Sequence, residues 1–177
     1  MKIKLTSLIV LLACVLLGTV SLTYALLYSM TRPVVNTFTV GDIQLSLAES
    51  QGDRFQMIPG TFVTKDPRVT VMGGSESCWL FVKLEKSNGF DDWMSCSVEE
   101  GWTALSGETD VYYRLVEASE EDTVFKVLKD DTVTVKDTVT KDKMAAIKDD
   151  PTLTFTAYAV QEMGISTAEI AWNQLNG

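Results

Sequence analysis

Apolar and polar residues alternate along most of this chain, with the two-residue period of β-strands that are buried on one face. The first such run spans residues 38–47 and slips by one position at Gly41-Asp42. A β-bulge there would keep the apolar side chains on one face, so we predict a single bulged first strand. Residues 131–136 and 152–160 show the same alternation and are also predicted strands, and residues 111–116 are predicted to form another strand.

A different pattern marks residues 78–85, which are apolar at successive positions until Lys83. A strand with this pattern is covered on both faces, so we predict a central strand of the core here. Turn-forming residues divide residues 55–72 into short extended pieces. Residues 87–101 are rich in charged and turn-forming residues and are predicted to form a long loop.

Two short stretches have helical rather than β character. Residues 142–148 precede Pro151, and Ser166-Thr167-Ala168-Glu169 fits a capping box before a brief C-terminal helix. The chain shows no regular exchange of strands and helices. The sequence therefore predicts an all-β fold, an antiparallel β-sandwich with short helices.

The N-terminus has the pattern of a secretory signal peptide. Lys2 and Lys4 precede an uncharged apolar stretch that ends in Thr23-Tyr24-Ala25. We predict cleavage between Ala25 and Leu26, which makes the mature protein secreted. Two alternatives stay open: the stretch is long enough for an uncleaved membrane anchor, and residues 11–14 resemble a lipoprotein cleavage box.

These boundaries divide the chain into a signal peptide at 1–25, an N-terminal linker segment at 26–37 and one domain at 38–177. The whole chain has 15 basic and 24 acidic residues and a net charge of −9. Removal of the signal peptide leaves 13 basic and 24 acidic residues, a net charge of −11. An acidic surface argues against nucleic acid or anionic lipid as a partner, so membrane contact is expected only through the signal segment.

Two cysteines remain after export, Cys78 and Cys96. Disulfides are common in exported proteins, so a Cys78–Cys96 bridge is expected to join the loop at 87–101 to the central strand. The alternative is a pair of reduced thiols.

The chain contains no histidine. This excludes histidine-based zinc sites and nucleophiles that use histidine as their base. Paired carboxylates can hydrolyse glycosides or peptides, and the chain has Asp91-Asp92, Glu99-Glu100, Asp130-Asp131 and Asp149-Asp150. These pairs lie in turn-like stretches, where solvated loops are the expected structure. We predict no enzyme, catalytic residue, metal or cofactor.

A surface-binding module is the alternative that the residues themselves suggest. Calcium is bound by several oxygen ligands, and the acidic stretch Glu117, Glu120, Glu121 and Asp122 offers such ligands. Exposed tryptophans stack on sugars, and the candidates are Trp79, Trp93, Trp102 and Trp172. A charged hairpin tip and core tryptophans are the simpler interpretations.

Most of the chain resembles the TasA and camelysin family of exported fibre-forming proteins from Gram-positive bacteria. The matching segments, in chain order, are Thr23–Ser29, Asn36–Gly41, Pro59-Gly60, Lys65–Val71, Cys78–Lys83, Ala157–Gln161 and Ala171-Trp172. The resemblance lies in the order and spacing of these segments together. Metalloprotease activity has also been described for camelysin-like proteins, and this chain has no histidine for such a site.

The resemblance implies a jelly-roll sandwich that is processed by a SipW-type signal peptidase and assembles with itself into extracellular fibres of the cell surface or biofilm matrix. In such fibres the N-terminal segment of one subunit completes a sheet of the next, which is strand addition. Here the donor segment would be residues 26–37, with Leu27, Val34 and Val35 as apolar anchors. A minor nucleating or anchoring subunit is a further expected partner. The rival hypotheses are a monomeric wall- or glycan-binding module and, third, a camelysin-like protease.

Overall fold

The structure is a computed structural model that describes residues 42–50, 55, 57–140 and 150–175, and the backbone of residues 36–40. All of these residues belong to the second of the chain's two compact units, residues 33–177. The predicted signal peptide, residues 26–35 and the predicted helix at 142–148 lie outside the described residues.

The described residues form eleven strands and three short helices. The strands are β1 (Asn36–Val40), β2 (Leu45–Ala48), β3 (Phe62–Thr64), β4 (Arg68–Val71), β5 (Cys78–Lys86), β6 (Met94–Ser95), β7 (Thr103–Ala104), β8 (Val111–Val116), β9 (Thr123–Lys126), β10 (Thr132–Val135) and β11 (Leu153–Gln161). The helices are α1 (Phe90–Trp93), a 3-10 turn (Lys129–Asp131) and α2 (Ala168–Leu175). Neither α-helix has the length or apolar composition to cross a membrane.

The largest sheet has five strands in the order β1-β11-β5-β8-β7. Its centre is the long antiparallel pair β5 and β11, which runs from Leu153 opposite Lys86 to Gln161 opposite Cys78. The predicted central strand is thus confirmed, with β11 and β8 as its two neighbours. Every described strand pair is antiparallel except one, because β1 runs parallel to β11.

Two small sheets, β2-β4-β9 and β3-β10-β6, share one apolar core with the inner face of the five-stranded sheet. Side chains alternate between the two faces of each strand, so every second residue enters this core. Leu80 and Val82 of β5, Val69 of β4 and Val135 of β10 are fully buried there. The all-β class predicted from the sequence, with mostly antiparallel sheets and few short helices, is confirmed.

A second, smaller apolar cluster lies on the opposite face of the five-stranded sheet, beneath α2. Phe81 of β5 is fully buried there and its ring centroid lies 5.2 Å from that of Trp172 of α2. Tyr158 meets Trp172 edge to face, with centroids 5.3 Å apart. Both faces of β5 are therefore covered, which explains its nearly continuous apolar sequence.

The predicted single strand at 38–47 is wrong. The chain leaves the five-stranded sheet after Val40 and enters the β2-β4-β9 sheet at Leu45, so the slip in the pattern is a change of sheet rather than a bulge. Strands on both sides of a shared core have the same apolar alternation, and the pattern alone cannot distinguish the two arrangements.

Two other local predictions also need correction. The expected loop at 87–101 contains α1 and β6, and the buried Phe90 ties α1 to the core. The C-terminal helix begins one residue later than the predicted capping box places it. Thr167, not Ser166, caps it: the backbone N–H of Ile170 donates to the Thr167 hydroxyl at 3.4 Å.

Candidate functional site

The outer edge of β1 is the first candidate site, because strand addition requires an unpaired edge. β1 pairs with β11 over five residues, from Asn36 opposite Thr156 to Val40 opposite Val160. No strand of the described residues pairs with its other side. This side of β1 is therefore a candidate for pairing with another extended chain.

The last two residues of the predicted donor segment at 26–37 lie in β1. Asn36 and Thr37 belong to β1 and pair with Thr156 and Ala157 of their own sheet. The predicted anchors Leu27, Val34 and Val35 and the predicted cleavage site between Ala25 and Leu26 lie outside the described residues. A donated segment that leaves β1 intact can include residues up to 35.

The opposite edge of the five-stranded sheet is formed by the short strand β7, which pairs with only part of β8. β7 has two residues and pairs only with Tyr112 and Tyr113 of β8. The last three residues of β8, Arg114 to Val116, have no partner on that side among the described strands. A two-residue strand covers little of β8, so the described strands leave part of both edges of this sheet without a partner strand.

Cys78 and Cys96 are both free thiols in the structure, so the expected bridge is not formed. Cys78 is the first residue of β5, whereas Cys96 interacts electrostatically with Lys86, the last. Eight residue steps along a strand separate Cys78 from Lys86 by about 26 Å, so the two thiols lie near opposite ends of β5. Burial raises the pKa of the Cys78 thiol to about 11 and also raises that of Cys96, so both thiols are protonated at neutral pH.

The acidic stretch at 117–122 serves the local turn. The Asp122 carboxylate accepts a hydrogen bond from the backbone N–H of Gly73 at 2.9 Å, and the Ser119 hydroxyl accepts one from Glu121 N–H at 3.0 Å. A side chain at Gly73 would place its Cβ 2.2 Å from the Glu120 carbonyl oxygen, so only glycine fits against this turn. Within the described ranges no cluster of three acidic or cysteine side chains could hold a metal ion.

The four tryptophans lie in different parts of the described fold. Trp79 and Trp172 belong to the cluster beneath α2, while Trp93 and Trp102 pack against the main core. The Trp79 indole N–H donates to the Ile165 carbonyl at 3.1 Å, and Trp172 is only 6% exposed. These positions do not make one flat stacking surface for a sugar.

The motif Lys65-Asp66-Pro67-Arg68 connects β3 to β4, and each of its residues holds another part of the chain. Lys65 Nζ donates to Glu49 Oε1 at 2.6 Å, with both side chains about nine-tenths buried. The rings of Phe55 and Phe155 lie 5.4 and 5.8 Å from the same ammonium group. The positive charge is thus balanced inside the core by one carboxylate and two aromatic rings.

Asp66 and Pro67 hold the neighbouring segments. The Asp66 carboxylate accepts hydrogen bonds from the backbone N–H and the hydroxyl of Ser50, after β2. The Pro67 carbonyl accepts one from the backbone N–H of Val127 at 3.1 Å, after β9.

Arg68 binds Asp131 through two parallel hydrogen bonds of 2.6 and 2.8 Å. Lys126 adds a contact of 3.3 Å to the same carboxylate. The hydrogen bond from Arg68 lowers the pKa of Asp131, and the same bond raises the pKa of Arg68. Asp131 has a left-handed backbone with φ of 54°, so the ion pair also holds an unfavourable turn conformation.

The sequence predicts a solvated loop at Asp130-Asp131, and no local pattern in it indicates the partners of Lys65 or Arg68. The motif itself was visible in the sequence. Its partners were not, because Arg68 and Asp131 are 63 residues apart and Lys65 and Glu49 lie on opposite sides of a turn region.

Comparison of this chain with protein-family models, curated proteins and solved structures finds no match.

Proposed function

We propose that this protein is an exported, non-enzymatic structural protein of the cell surface or biofilm matrix of a Gram-positive bacterium. In this proposal a SipW-type peptidase removes residues 1–25 and the mature protein is secreted. The domain is a jelly-roll sandwich, and its copies assemble into fibres by donor-strand complementation, with a minor subunit that nucleates or anchors them.

The observation that carries the proposal is the edge of β1 that no described strand pairs with, and β1 directly follows the apolar segment at 26–35 in the chain. An unpaired strand edge presents a row of donors and acceptors that a second extended chain can satisfy. The segment at 26–35 contains apolar residues that can fill a groove beside such an edge, and Leu27, Val34 and Val35 are among them. One chain therefore has both a sheet edge and a candidate strand.

The test is assembly of purified residues 26–177, followed by negative-stain electron microscopy and sedimentation. Mildly acidic solution is preferred because partial protonation of carboxylates lowers the self-repulsion of the −11 charge. Regular filaments are expected from the intact segment. A variant in which Leu27, Val34 and Val35 are all replaced by Ser is expected to stay monomeric, because its segment no longer offers apolar anchors.

The matched control replaces Ser29 and Thr31, two polar residues of the same segment, by Ala. This variant keeps the segment length and the three anchors, so it is expected to assemble like the parent. Deletion of residues 26–35 leaves β1 complete and tests the segment as a whole. Equal filament yield from the deletion variant and the intact protein would rule out the donor role of this segment.

A further inference from the structure

Arg114 occupies an unusual position for a charged residue. It lies on β8 between Tyr112 and Val116, which share its face of the strand, and Val116 is buried in the main core. Its partner across the sheet is Leu80 of β5, which is fully buried. Alternation therefore directs the Arg114 side chain toward the core side of the sheet, where apolar residues are expected.

Two aromatic rings surround its guanidinium group. The guanidinium carbon lies 4.1 Å from the ring centroid of Phe125 and 5.2 Å from that of Trp102. Trp102 is held in place because its indole N–H donates to the Lys126 carbonyl at 2.7 Å. Gly101 leaves room for the group, since a Cβ at that position would lie 2.8 Å from an Arg114 nitrogen.

No hydrogen bond or carboxylate contact of Arg114 is present in the part of the chain that the structure describes. Three other partly buried cations there differ: Lys65 contacts Glu49, Arg68 contacts Asp131 and Lys86 contacts Asp110. Burial lowers the pKa of Arg114, with no carboxylate to oppose it. Aromatic rings interact with the charge but accept none of the five guanidinium N–H bonds in the way that a carboxylate does.

We propose that Arg114 is a carboxylate-binding residue, and that a carboxylate from another molecule binds its guanidinium N–H groups between β8 and β9. Arg114 is partly exposed and lies at the sheet edge, because β7 begins opposite Tyr113 and no described strand pairs with Arg114 on that side. A carboxylate matches the guanidinium with two parallel hydrogen bonds, and these are strong where the group is partly withdrawn from water.

Two sources can supply the carboxylate. One is a free carboxylate ligand, and the other is an acidic side chain of a second copy of this chain, which has 24 acidic residues. The binding chemistry is the same in both, and it does not depend on the proposed strand exchange. Two measurements, made on unassembled residues 26–177 at neutral pH, distinguish the sources.

The first measurement follows the side-chain Nε–H signal of Arg114 by NMR during titration with sodium acetate, against sodium chloride at the same ionic strength. The R114K variant assigns the signal by removing it. A saturable shift with acetate alone is expected, while the corresponding signal of Arg68 stays in place because Asp131 already occupies that group. An Arg114 signal that responds equally to acetate and chloride would overturn the proposal.

R114K keeps the positive charge but removes the guanidinium group, which can donate two parallel hydrogen bonds to one carboxylate. Acetate binding, followed on the backbone amides of Gly101 and Phe125, is expected to weaken about tenfold, as for the loss of one charge-assisted hydrogen bond. Near-ultraviolet circular dichroism checks that the variant is folded. An unchanged acetate affinity in folded R114K would contradict a specific role for the guanidinium.

The second measurement is sedimentation velocity over a range of protein concentrations. If a second copy supplies the carboxylate, association appears at high concentration and is lost on addition of acetate or in R114K. If the natural ligand is a free carboxylate, the protein binds acetate and remains monomeric. If the first titration is positive, either of these results supports the carboxylate site at Arg114. If the protein associates and neither acetate nor R114K changes that association, a second copy is excluded as the source of the carboxylate.

Discussion

The Lys65–Arg68 segment and the surroundings of Arg114 place positive charge near the core in two different ways. Lys65 and Arg68 each have a carboxylate at 2.6 Å, supplied by a distant part of the chain. Arg114 has Phe125 and Trp102 instead. The pKa values follow the same division, because the hydrogen bond to Asp131 raises that of Arg68 whereas burial lowers that of Arg114.

The difference separates two roles for a charge in a small β-domain. A cation paired within its own chain joins two segments, and its contribution is stability. A cation with only aromatic neighbours is held in position but keeps hydrogen-bonding capacity for another molecule. On this view the Lys65–Arg68 segment is structural and Arg114 is a recognition residue.

The largest effect is expected at Glu49. Replacement by Gln leaves the Lys65 ammonium buried without a counter-charge, and loss of one member of a buried pair typically costs about 3–5 kcal/mol. The two nearby aromatic rings offset part of that cost. Urea denaturation of the variant and the parent measures the difference in the free energy of unfolding.

The matched control is the double variant Glu49→Leu, Lys65→Met, which removes both charges and keeps apolar volume. It is expected to be more stable than Glu49→Gln, because no unpaired charge remains in the core. A double variant as unstable as the single one would mean that shape, rather than charge, dominates at this site.

A smaller effect is expected at Asp131. Asn keeps the size and tolerates the left-handed backbone, so Asp131→Asn isolates the lost ion pair, at about 1–2 kcal/mol for a site that is mostly buried. The pKa of Asp131 is lowered in the folded protein. Its contribution is therefore complete above the ordinary carboxyl pKa and is lost as the pH falls through the folded value.

Urea denaturation at several pH values between neutral and strongly acidic checks this dependence. The stability difference between parent and Asp131→Asn is expected to shrink toward the acidic end, since the parent carboxyl is then protonated. A constant difference at every pH would show that the ion pair does not contribute.

The smallest effect is expected at Trp102. Replacement by Phe removes the hydrogen bond to the Lys126 carbonyl and weakens the ring contact with Arg114, at about 0.5–1.5 kcal/mol together. The measurement is the thermal unfolding of Trp102→Phe. Trp93→Phe is the control, because Trp93 packs against the same core. A loss as large as that of Glu49→Gln would remove the distinction between the two regions.

Much of the fold could be predicted from local patterns. Residues 78–85 indicated the central strand, because a strand covered on both faces needs apolar residues at successive positions. The alternation at 131–136 likewise identified β10, whose alternate residues are half-exposed and buried. Both signals depend only on which side of a strand meets water.

The assignment of strands to sheets could not be predicted in the same way. Residues 38–47 supply β1 and β2 of two different sheets, although their alternation is nearly continuous. β9 has two adjacent apolar residues, Val124 and Phe125, between polar ones, and β6 and β7 have only two residues each, so none of the three gives a clear alternation. Their existence depends on neighbours that are far away in the chain.

The candidate sites show the same limit more strongly. The N-terminal segment was predicted as a donor strand from its apolar residues and its position, whereas the pairing of Asn36 with Thr156 places residues 36 and 37 in β1. The disulfide expected for Cys78 and Cys96 followed from their number, whereas both are free thiols in the structure, with Cys78 at the start of β5 and Cys96 after β6. Arg114 was not singled out, because neither Phe125 nor Trp102 is its neighbour in sequence.

The amino-acid sequence by itself determined the β class, the central strand, the acidic charge and the absence of histidine chemistry, since these depend on composition and on short-range periodicity. Tertiary structure decided the parallel pairing of β1, the free thiols, the carboxylate partners of Lys65 and Arg68 and the aromatic surroundings of Arg114. The physical reason is distance along the chain. Periodicity reports the exposure of one strand, whereas a partner is chosen only when strands from remote segments pack together.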